Sequence, residues 1–234
     1  MYILGINTAT EKSNIILWND GQTHEVFYST NFKTYGENLL INLEFLLKMS
    51  NWTLNNIDLY CVVTGPGSFT GLRIGAVTVK TLAQIYKKPI VGISYLEGLA
   101  YQTVFNGVIG TILPGRKGEI HTGFFENLEK FNNISSEEIY SYQNFTEVVK
   151  NLIKERELLL VGSIPEDLKK ILPKQVKYAP IVLNSLKGET LVLLGLEKYK
   201  KGDFKDYLSL LPDYRQKSSA EVNWIKKYGG TKRI

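Results

Sequence analysis

Residues 59–75 read LYCVVTGPGSFTGLRIG, and this stretch decides the fold. The apolar run at its start is typical of a buried strand, the glycines indicate a tight turn, and a helical pattern then continues to Tyr86. A strand, a turn and a helix start in this order direct backbone N–H groups to one point, where many α/β proteins bind a phosphate or a carboxylate. The first question is whether this turn has a ligand.

The glycine spacing matches neither of the two common phosphate-binding motifs. A Walker loop requires Gly-x4-Gly-Lys-Ser/Thr, and no lysine follows Gly65, Gly67 or Gly71. A dinucleotide fingerprint requires Gly-x-Gly-x-x-Gly, and here the last interval is one residue too long. Spacing alone therefore favours a turn without a ligand over a phosphate site, and we interpret Ser68 as the N-cap of the helix.

The chain offers few groups for catalysis or metal binding. Its two histidines, His24 and His121, lie far apart in strand-like segments, without the spacing of metal ligands. Ser68 would act as a nucleophile only if the fold brought His121 to it. The turn after the first strand contains Asn7 and Thr8, which supply an amide and a hydroxyl but no carboxylate for magnesium. We predict no catalytic residue and no metal site.

Composition limits the class of protein. The 234 residues are 44% hydrophobic, which suits two small domains, and lysine and arginine exceed aspartate and glutamate by five. This basic excess favours a polyanionic neighbour such as nucleic acid, although a solvated tail is the favoured interpretation of the basic residues at 226–233. The single cysteine, Cys61, lies in an apolar strand and predicts a reducing compartment. We expect a cytoplasmic protein without a membrane span.

Periodicity predicts an α/β fold in two parts. Strands are predicted at 2–6, 13–18, 24–28, 59–64, 90–93, 108–113, 119–125, 129–133 and 158–161, and helices at 36–49, 70–86, 146–155, 166–172, 186–200 and from 218. Asn144 and Glu147 are interpreted as a capping pair. The second half is interpreted as a degenerate copy of the first. We therefore divide the chain into lobes at 1–104 and 105–234, with the last helix packing back on the first lobe.

The first predicted helix has one apolar face too many. On a wheel of about 100° per residue, five leucines form a core face: Leu39, Leu40, Leu43, Leu46 and Leu47. Ile41, Phe45 and Met49 form a second stripe, flanked by Asn38 and Asn42, where a surface helix normally carries charges.

The helix at 70–86 repeats this anomaly. Its core face contains Leu72, Ala76, Val79, Ala83 and Tyr86, and its second face contains Ile74, Thr78, Thr81 and Ile85. Gly71 and Gly75 lie one turn apart and would admit another backbone closely. Two such helices favour contact with another chain, and the alternative is that the second lobe covers them.

The segment GPGSFTGLRIG at 65–75 resembles the hallmark of the bacterial TsaB (YeaZ) family. Similar residues occur at the opening ILGINT, at ENLL on the first helix, at RKGE in the second half, and at PDYR and AE near the end. The resemblance implies an α/β fold of two actin-like (ASKHA, ribonuclease-H-like) lobes. In this light Asn7, Thr8, Gly65, Gly67 and Ser68 are vestigial phosphate-loop positions.

The resemblance also implies a function. TsaB proteins are non-catalytic partners of TsaD in making N6-threonylcarbamoyladenosine at position 37 of tRNA, and the ATPase TsaE joins them. Nucleotide and metal are then expected on TsaD and TsaE, and none on this chain. In the family the first two helices contact TsaD, which implies a partner surface here at Asn38, Ile41, Asn42, Phe45, Met49, Gly71, Ile74, Gly75, Thr78 and Ile85.

Three departures from the family pattern favour a scaffold. The family usually has Asp at the position of Asn7, His-Ser-Glu at 35–37 where this chain has YGE, and Asp-Ala-Arg at 114–116 where it has PGR. Two carboxylates are thereby lost. Our leading hypothesis is a pseudo-enzyme that activates TsaD, the second is an actin-like ATPase or kinase, and the third is a homodimer formed through the apolar stripes.

Overall fold

A computed structural model describes residues 1–29, 35–127, 130–213 and 224 of the chain. The first half forms a five-stranded mixed sheet in the order β3-β2-β1-β4-β5. Its strands are β1 (Ile3–Asn7), β2 (Lys12–Asn19), β3 (Gln22–Ser29), β4 (Leu59–Gly65) and β5 (Ile90–Ser94). The first three strands are antiparallel neighbours, and β4 and β5 join in parallel. This is the predicted meander followed by alternating helices and strands.

The β2–β3 hairpin forms where the sequence predicted it. Asn19 pairs with Gln22, so Asp20 and Gly21 make the two-residue turn. The Asn19 side-chain oxygen accepts the backbone N–H groups of Gly21 and Gln22, both at 3.1 Å. The turn chemistry is therefore supplied within the loop itself.

The second half contains a six-stranded sheet in the order β11-β10-β6-β7-β8, with β9 also paired to β7. Its strands are β6 (Val108–Pro114), β7 (Glu119–Asn127), β8 (Phe131–Asn133), β9 (Glu138–Ser141), β10 (Leu158–Gly162) and β11 (Lys177–Tyr178). The predicted pattern missed β9 and β11, which are too short to show a period of two. The predicted class, two mixed sheets with helices, is confirmed.

Six α-helices within residues 35–213 of the described chain pack on these sheets. They are α1 (Tyr35–Ser50), α2 (Phe69–Tyr86), α3 (Tyr95–Tyr101), α4 (Tyr142–Leu152), α5 (Glu166–Lys169) and α6 (Gly188–Lys200). The predicted capping pair of Asn144 and Glu147 is wrong, because Ser141 caps α4 by accepting the Asn144 N–H at 3.2 Å. Helix α3 was not predicted, although Ser94 and Glu97 match a capping box. Ser94 accepts the N–H groups of Leu96 and Glu97.

The helices form layers on the two faces of the first sheet. Leu39 and Leu43 of α1 and Val79 of α2 are buried with Leu4 and Tyr60 of the sheet. The opposite face of the sheet contacts α6, which we had assigned to the second lobe. The chain thus returns to the first sheet after completing the second. Of the predicted final helix only Trp224 is described, so its capping box and the basic tail lie outside the described residues.

Candidate functional site

The glycine turn joins β4 to α2, as predicted. Gly65 is followed by a cis peptide bond to Pro66, and Gly65 has a φ of 143°, which favours glycine. Ser68 caps α2, because its hydroxyl accepts the backbone N–H of Gly71 at 3.2 Å. The predicted N-cap role of Ser68 is therefore confirmed.

The β1–β2 turn fills the concave side of this glycine turn. The backbone N–H of Ser68 donates to the Ala9 carbonyl at 2.7 Å, and a Cβ on Gly67 would overlap that same oxygen. An N–H group that a phosphate would need is thus bound within the protein. The turn is a packing junction between two loops of the first sheet.

Gly71 and Gly75 belong to this junction, which corrects their predicted place on a partner surface. Both are buried. A Cβ on Gly71 would overlap the Thr8 carbonyl, and a Cβ on Gly75 would lie 2.5 Å from Thr8 Oγ1. The Thr8 hydroxyl also donates to the Gly71 carbonyl at 2.7 Å. The two glycines admit a backbone closely, as predicted, but it is the backbone of their own lobe.

Asn7 is fully buried at the end of β1. Its side-chain oxygen accepts the Ala9 N–H at 3.1 Å, and its side-chain nitrogen has no hydrogen-bond partner among the described residues. Magnesium prefers carboxylate and other oxygen ligands, and here the single amide oxygen is already in use. Asn7 therefore shapes the β1–β2 turn.

A cleft of about 1000 Å³ opens beside the glycine turn, between the two sheets. Ala9, Ser68 and Tyr95 line it from the first half, and Leu113, Gly162 and Tyr178 line it from the second. Among the described lining residues the charged side chains are Glu11, Lys12 and Lys169, and all three are exposed. One exposed carboxylate and an occupied glycine turn do not fit a magnesium nucleotide of the actin-like kind.

Tyr95 forms part of the cleft floor. It is buried, and its hydroxyl is hydrogen-bonded to the Thr10 side chain and to the backbone of Leu186. Burial raises the pKa of Tyr95, since a phenolate would lose its hydration there. His121 is buried on β7 and is not among the described lining residues, so the structure does not place it with Ser68 in the cleft.

A second feature lies on the outer sides of α1 and α2, which are neighbours. We define the outer apolar face as the apolar residues of these helices that are between 52% and 64% exposed: Leu40, Ile41, Phe45, Met49, Val77 and Ile85. Such a group of large exposed side chains is typical of an interaction surface. No described part of the second lobe covers it.

Three positions differ from the helical-wheel analysis. Leu40 was predicted in the core and is exposed, whereas Ile74 was predicted outward and is partly buried against the core of the first sheet. Val77 was missed, although it lies eight residues before Ile85 on the same side of α2. Ile74 packs against the cluster that contains Leu39 and Leu43 of α1, so the contact between the two helices partly buries it.

The polar residues beside the outer apolar face are partly buried. Asn42 donates its side-chain N–H to the Asn38 carbonyl at 2.7 Å, within α1. Thr78 is also half-buried on α2. The charged neighbours on α1, Glu44 and Lys48, are exposed and form an ion pair of 2.6 Å with each other. The face therefore presents apolar side chains beside a neutralised pair of charges.

Comparisons with known proteins agree with this architecture. The family model described as "TsaD: tRNA N6-adenosine threonylcarbamoyltransferase" matches residues 29–224. The tRNA threonylcarbamoyladenosine biosynthesis protein TsaB of Bacillus subtilis is 28% identical, over 97% of this chain and 99% of its own. The tRNA N6-adenosine threonylcarbamoyltransferase of Rippkaea orientalis is 33% identical, but over only 43% of this chain and 33% of its own.

A solved structure shows the same fold. YeaZ from Pseudomonas aeruginosa superposes with a TM-score of 0.77 over 91% of this chain and 99% of its own, at 20% sequence identity. The match over nearly the whole length of TsaB, against one third of the transferase, separates the two branches. The chain therefore belongs to the family described as TsaD, tRNA N6-adenosine threonylcarbamoyltransferase, and within it to the TsaB (YeaZ) proteins of tRNA threonylcarbamoyladenosine biosynthesis.

Proposed function

We propose that this protein is a non-catalytic subunit of the cytoplasmic complex that installs N6-threonylcarbamoyladenosine at position 37 of tRNAs. In this proposal it activates TsaD by forming a heterodimer with it, and the heterodimer recruits TsaE. Nucleotide and metal are held by TsaD and TsaE, and tRNA binds to the assembled complex. The observation that carries the proposal is the outer apolar face of α1 and α2.

The chemistry of that face supports a helical partner. Its side chains lie on two adjacent helices of 16 and 18 residues, and a helix of TsaD would pack on such a surface by fitting its ridges of side chains into their grooves. Aromatic and long aliphatic residues near the centre of an interface carry most of its binding energy. Phe45 and Ile41 of α1 are the side chains of this kind that we expect to dominate.

The state of the glycine turn supports the non-catalytic part of the proposal. The N–H group of Ser68 is bound to Ala9, the buried end of β1 carries Asn7, and Glu11 is the single carboxylate among the described residues lining the cleft. A transferase acting on an adenylate would need groups that polarise or protonate it. We therefore assign the chemistry to TsaD.

The binding test replaces Phe45 by Asp. A buried carboxylate at the centre of an apolar interface is expected to weaken binding to TsaD by at least about 100-fold, which is about 2.7 kcal/mol. Isothermal titration calorimetry of purified TsaD into each variant measures this. The matched control is Val104→Asp, because Val104 is 97% exposed and lies outside α1 and α2. Wild-type affinity in Phe45→Asp, with circular dichroism unchanged, would refute the assigned surface.

A reconstitution assay tests the function itself. tRNA modification is measured with TsaD and TsaE supplied, with and without this chain. We expect modification to require the chain, and Phe45→Asp to lower it in proportion to the lost binding. Equal modification in the absence of the chain would contradict the activator role.

The cleft favours one alternative, an actin-like ATPase or kinase, because it is large enough for a nucleotide and contains Lys12 and Lys169. That alternative requires the isolated chain to bind ATP with magnesium. We expect a flat calorimetric titration, since the glycine turn is filled by the β1–β2 turn. A saturable heat signal would favour the ATPase over the scaffold.

A further inference from the structure

The two halves of the molecule share one hydrophobic core. Ile3 and Val63 of the first sheet belong to the same buried cluster as Ile109, Phe125 and Val161 of the second sheet, and each is at most 1% exposed. Helices α3 and α6 contribute to this cluster, and α3 contacts strands of both sheets. Protein interiors are close-packed, so two lobes that share a core cannot rotate against each other without opening cavities.

Gln102, directly after α3, is hydrogen-bonded to the segment that returns from the second lobe to the first. Its side-chain nitrogen donates to the carbonyls of Leu183 and Ser185 at 2.7 and 3.1 Å. Its side-chain oxygen accepts the N–H of Lys187 at 3.2 Å and lies 3.4 Å from the Thr190 hydroxyl. One amide thus fixes the segment that carries the chain from the second sheet back to α6.

Further hydrogen bonds hold the floor and the rim of the cleft. The Tyr95 hydroxyl joins Thr10 of the β1–β2 turn to Leu186 of the returning segment. The Asn184 side-chain oxygen accepts the N–H of Gly162, at the end of β10, at 3.0 Å. Ser94, at the end of β5, donates to Glu137 of the second half at 2.5 Å. The bonds of Tyr95 and Ser94 join the first half to the second, and the bond of Asn184 holds the returning segment to the end of β10.

We infer that the two lobes move as one rigid body, so that the cleft keeps its open width whatever binds to the protein. Two domains that close around a ligand do so at hinges, and a hinge needs a segment free to change its backbone angles. Here the helices that adjoin the crossing segments, α3 and α6, are packed into the common core, and the Gln102 side chain is hydrogen-bonded to the returning segment. The inference goes beyond the proposed function, because it concerns the isolated chain and predicts how both lobes face any partner.

Distance measurements by double electron–electron resonance test the inference. Spin labels are placed on Lys12→Cys and Lys169→Cys, two exposed residues on opposite walls of the cleft. The native Cys61 is fully buried, so it stays unlabelled. We expect a single narrow distance distribution that is unchanged by magnesium ATP and by purified TsaD. Two populations, or a shift to shorter distances with either addition, would overturn the inference.

Replacing Gln102 by Ala removes four contacts from the crossing segment and is expected to broaden the distribution. The matched control is Gln175→Ala, an exposed glutamine of the second half that should leave it unchanged. An equally narrow distribution in folded Gln102→Ala would reject the role assigned to this residue. Because TsaD binding is measured separately by calorimetry, a failure here is distinguishable from failure of the proposed function.

Discussion

At the scale of single residues, two glycines of α2 are required because the structure leaves no room for a side chain at their positions. Gly71 and Gly75 follow the spacing of a close helix contact, yet their open sides face Thr8, about 65 residues earlier in the chain. The contact is with backbone atoms and a hydroxyl that is itself hydrogen-bonded, so little can move aside. Glycine is required here for space, since neither residue has a positive φ.

Replacing Gly71 by Ala is therefore expected to lower the free energy of unfolding by about 2 kcal/mol or more, through overpacking against Thr8. Urea denaturation of wild type and variant measures this. Gly36 on α1 is the control, because a Cβ there meets nothing within 4 Å. Gly36→Ala should keep or raise stability, by about 0.5–1 kcal/mol from helix propensity. Equal stability in Gly71→Ala would disprove the packing argument.

Glu25 on β3 is a half-buried carboxylate with a structural role. It accepts the side-chain N–H of Asn14 at 2.6 Å and the N–H of Gly188, at the start of α6, at 2.8 Å. Burial raises the pKa of Glu25 above its ordinary value of 4.5, and repulsion from Glu189 adds to this. The two hydrogen bonds and Lys187 oppose the rise without cancelling it.

This raised pKa predicts a pH dependence of known sign. The folded state keeps the Glu25 proton to a higher pH than the unfolded state, so the carboxyl stabilises the fold below 4.5 and loses that contribution as pH rises through its folded pKa. Glu25→Gln does not titrate. Urea denaturation at about pH 4 and about pH 7 should therefore show wild type losing stability relative to Glu25→Gln.

Glu44 provides a control of opposite sign. It is exposed, and its hydrogen bond and ion pair with Lys48 lower its pKa. The small contribution of Glu44 to the stability of the fold is present above pH 4.5 and is lost as pH falls. Wild type should therefore gain stability relative to Glu44→Gln between about pH 4 and about pH 7. If the free energy of unfolding changed equally with pH in wild type and in Glu25→Gln, the raised pKa assigned to Glu25 would be contradicted.

At the scale of elements, α1 and α2 are two neighbouring helices that both expose apolar side chains. Ser68 starts α2 at a defined residue, and Leu39 and Val79 hold the two helices on the sheet. What remains outside is the outer apolar face. A surface of this kind serves a second copy of the chain as readily as a related partner, because a twofold axis brings the same helices together.

We therefore predict weak self-association of the isolated protein. Sedimentation velocity at low micromolar concentration should show a monomer–dimer equilibrium, and Phe45→Asp should be monomeric because its carboxylate would be desolvated in the contact. Val104→Asp should behave as wild type. Addition of TsaD should replace the homodimer by a heterodimer, since both use one face. A dimer that persists in Phe45→Asp would place self-association elsewhere.

At the scale of the whole molecule, the shared core predicts one cooperative unfolding transition. Trp18 and Trp52 report on the first half by fluorescence, with a contribution from Trp224, and far-ultraviolet circular dichroism reports on both halves. Phe125 lies on β7 and is fully buried in the shared core. Phe125→Ala should lower the free energy of unfolding by about 3–5 kcal/mol and move both signals together.

Phe27 is the control for that measurement. It is 59% exposed on β3, so Phe27→Ala should change the free energy of unfolding by less than about 0.5 kcal/mol. Two separate transitions, with the fluorescence unaffected by Phe125→Ala, would show that the lobes unfold independently. That result would also argue against a rigid connection between them.

Local sequence patterns determined most of the secondary structure of this protein and the turn and cap residues that bound it. The hairpin at Asn19, the cap at Ser68 and the buried strand, predicted at 59–64 and observed at 59–65, depend on neighbours within a few residues. The helical pattern also identified Ile41, Phe45, Met49 and Ile85 as a second apolar stripe, and these side chains are exposed. The partner-binding role of those side chains stays a prediction. Helix α3 was predictable but was missed, since Ser94 and Glu97 have the spacing of a capping box.

Only the tertiary structure decided what covers each surface. Thr8 lies against Gly71, α6 packs on the first sheet, and Ile74 is partly buried while Leu40 is exposed. These contacts and exposures depend on residues 60 or more positions apart in the sequence, or on how two helices pack against each other. A periodic pattern says that a face is apolar, but the packing of the whole chain decides whether that face meets the protein itself or water.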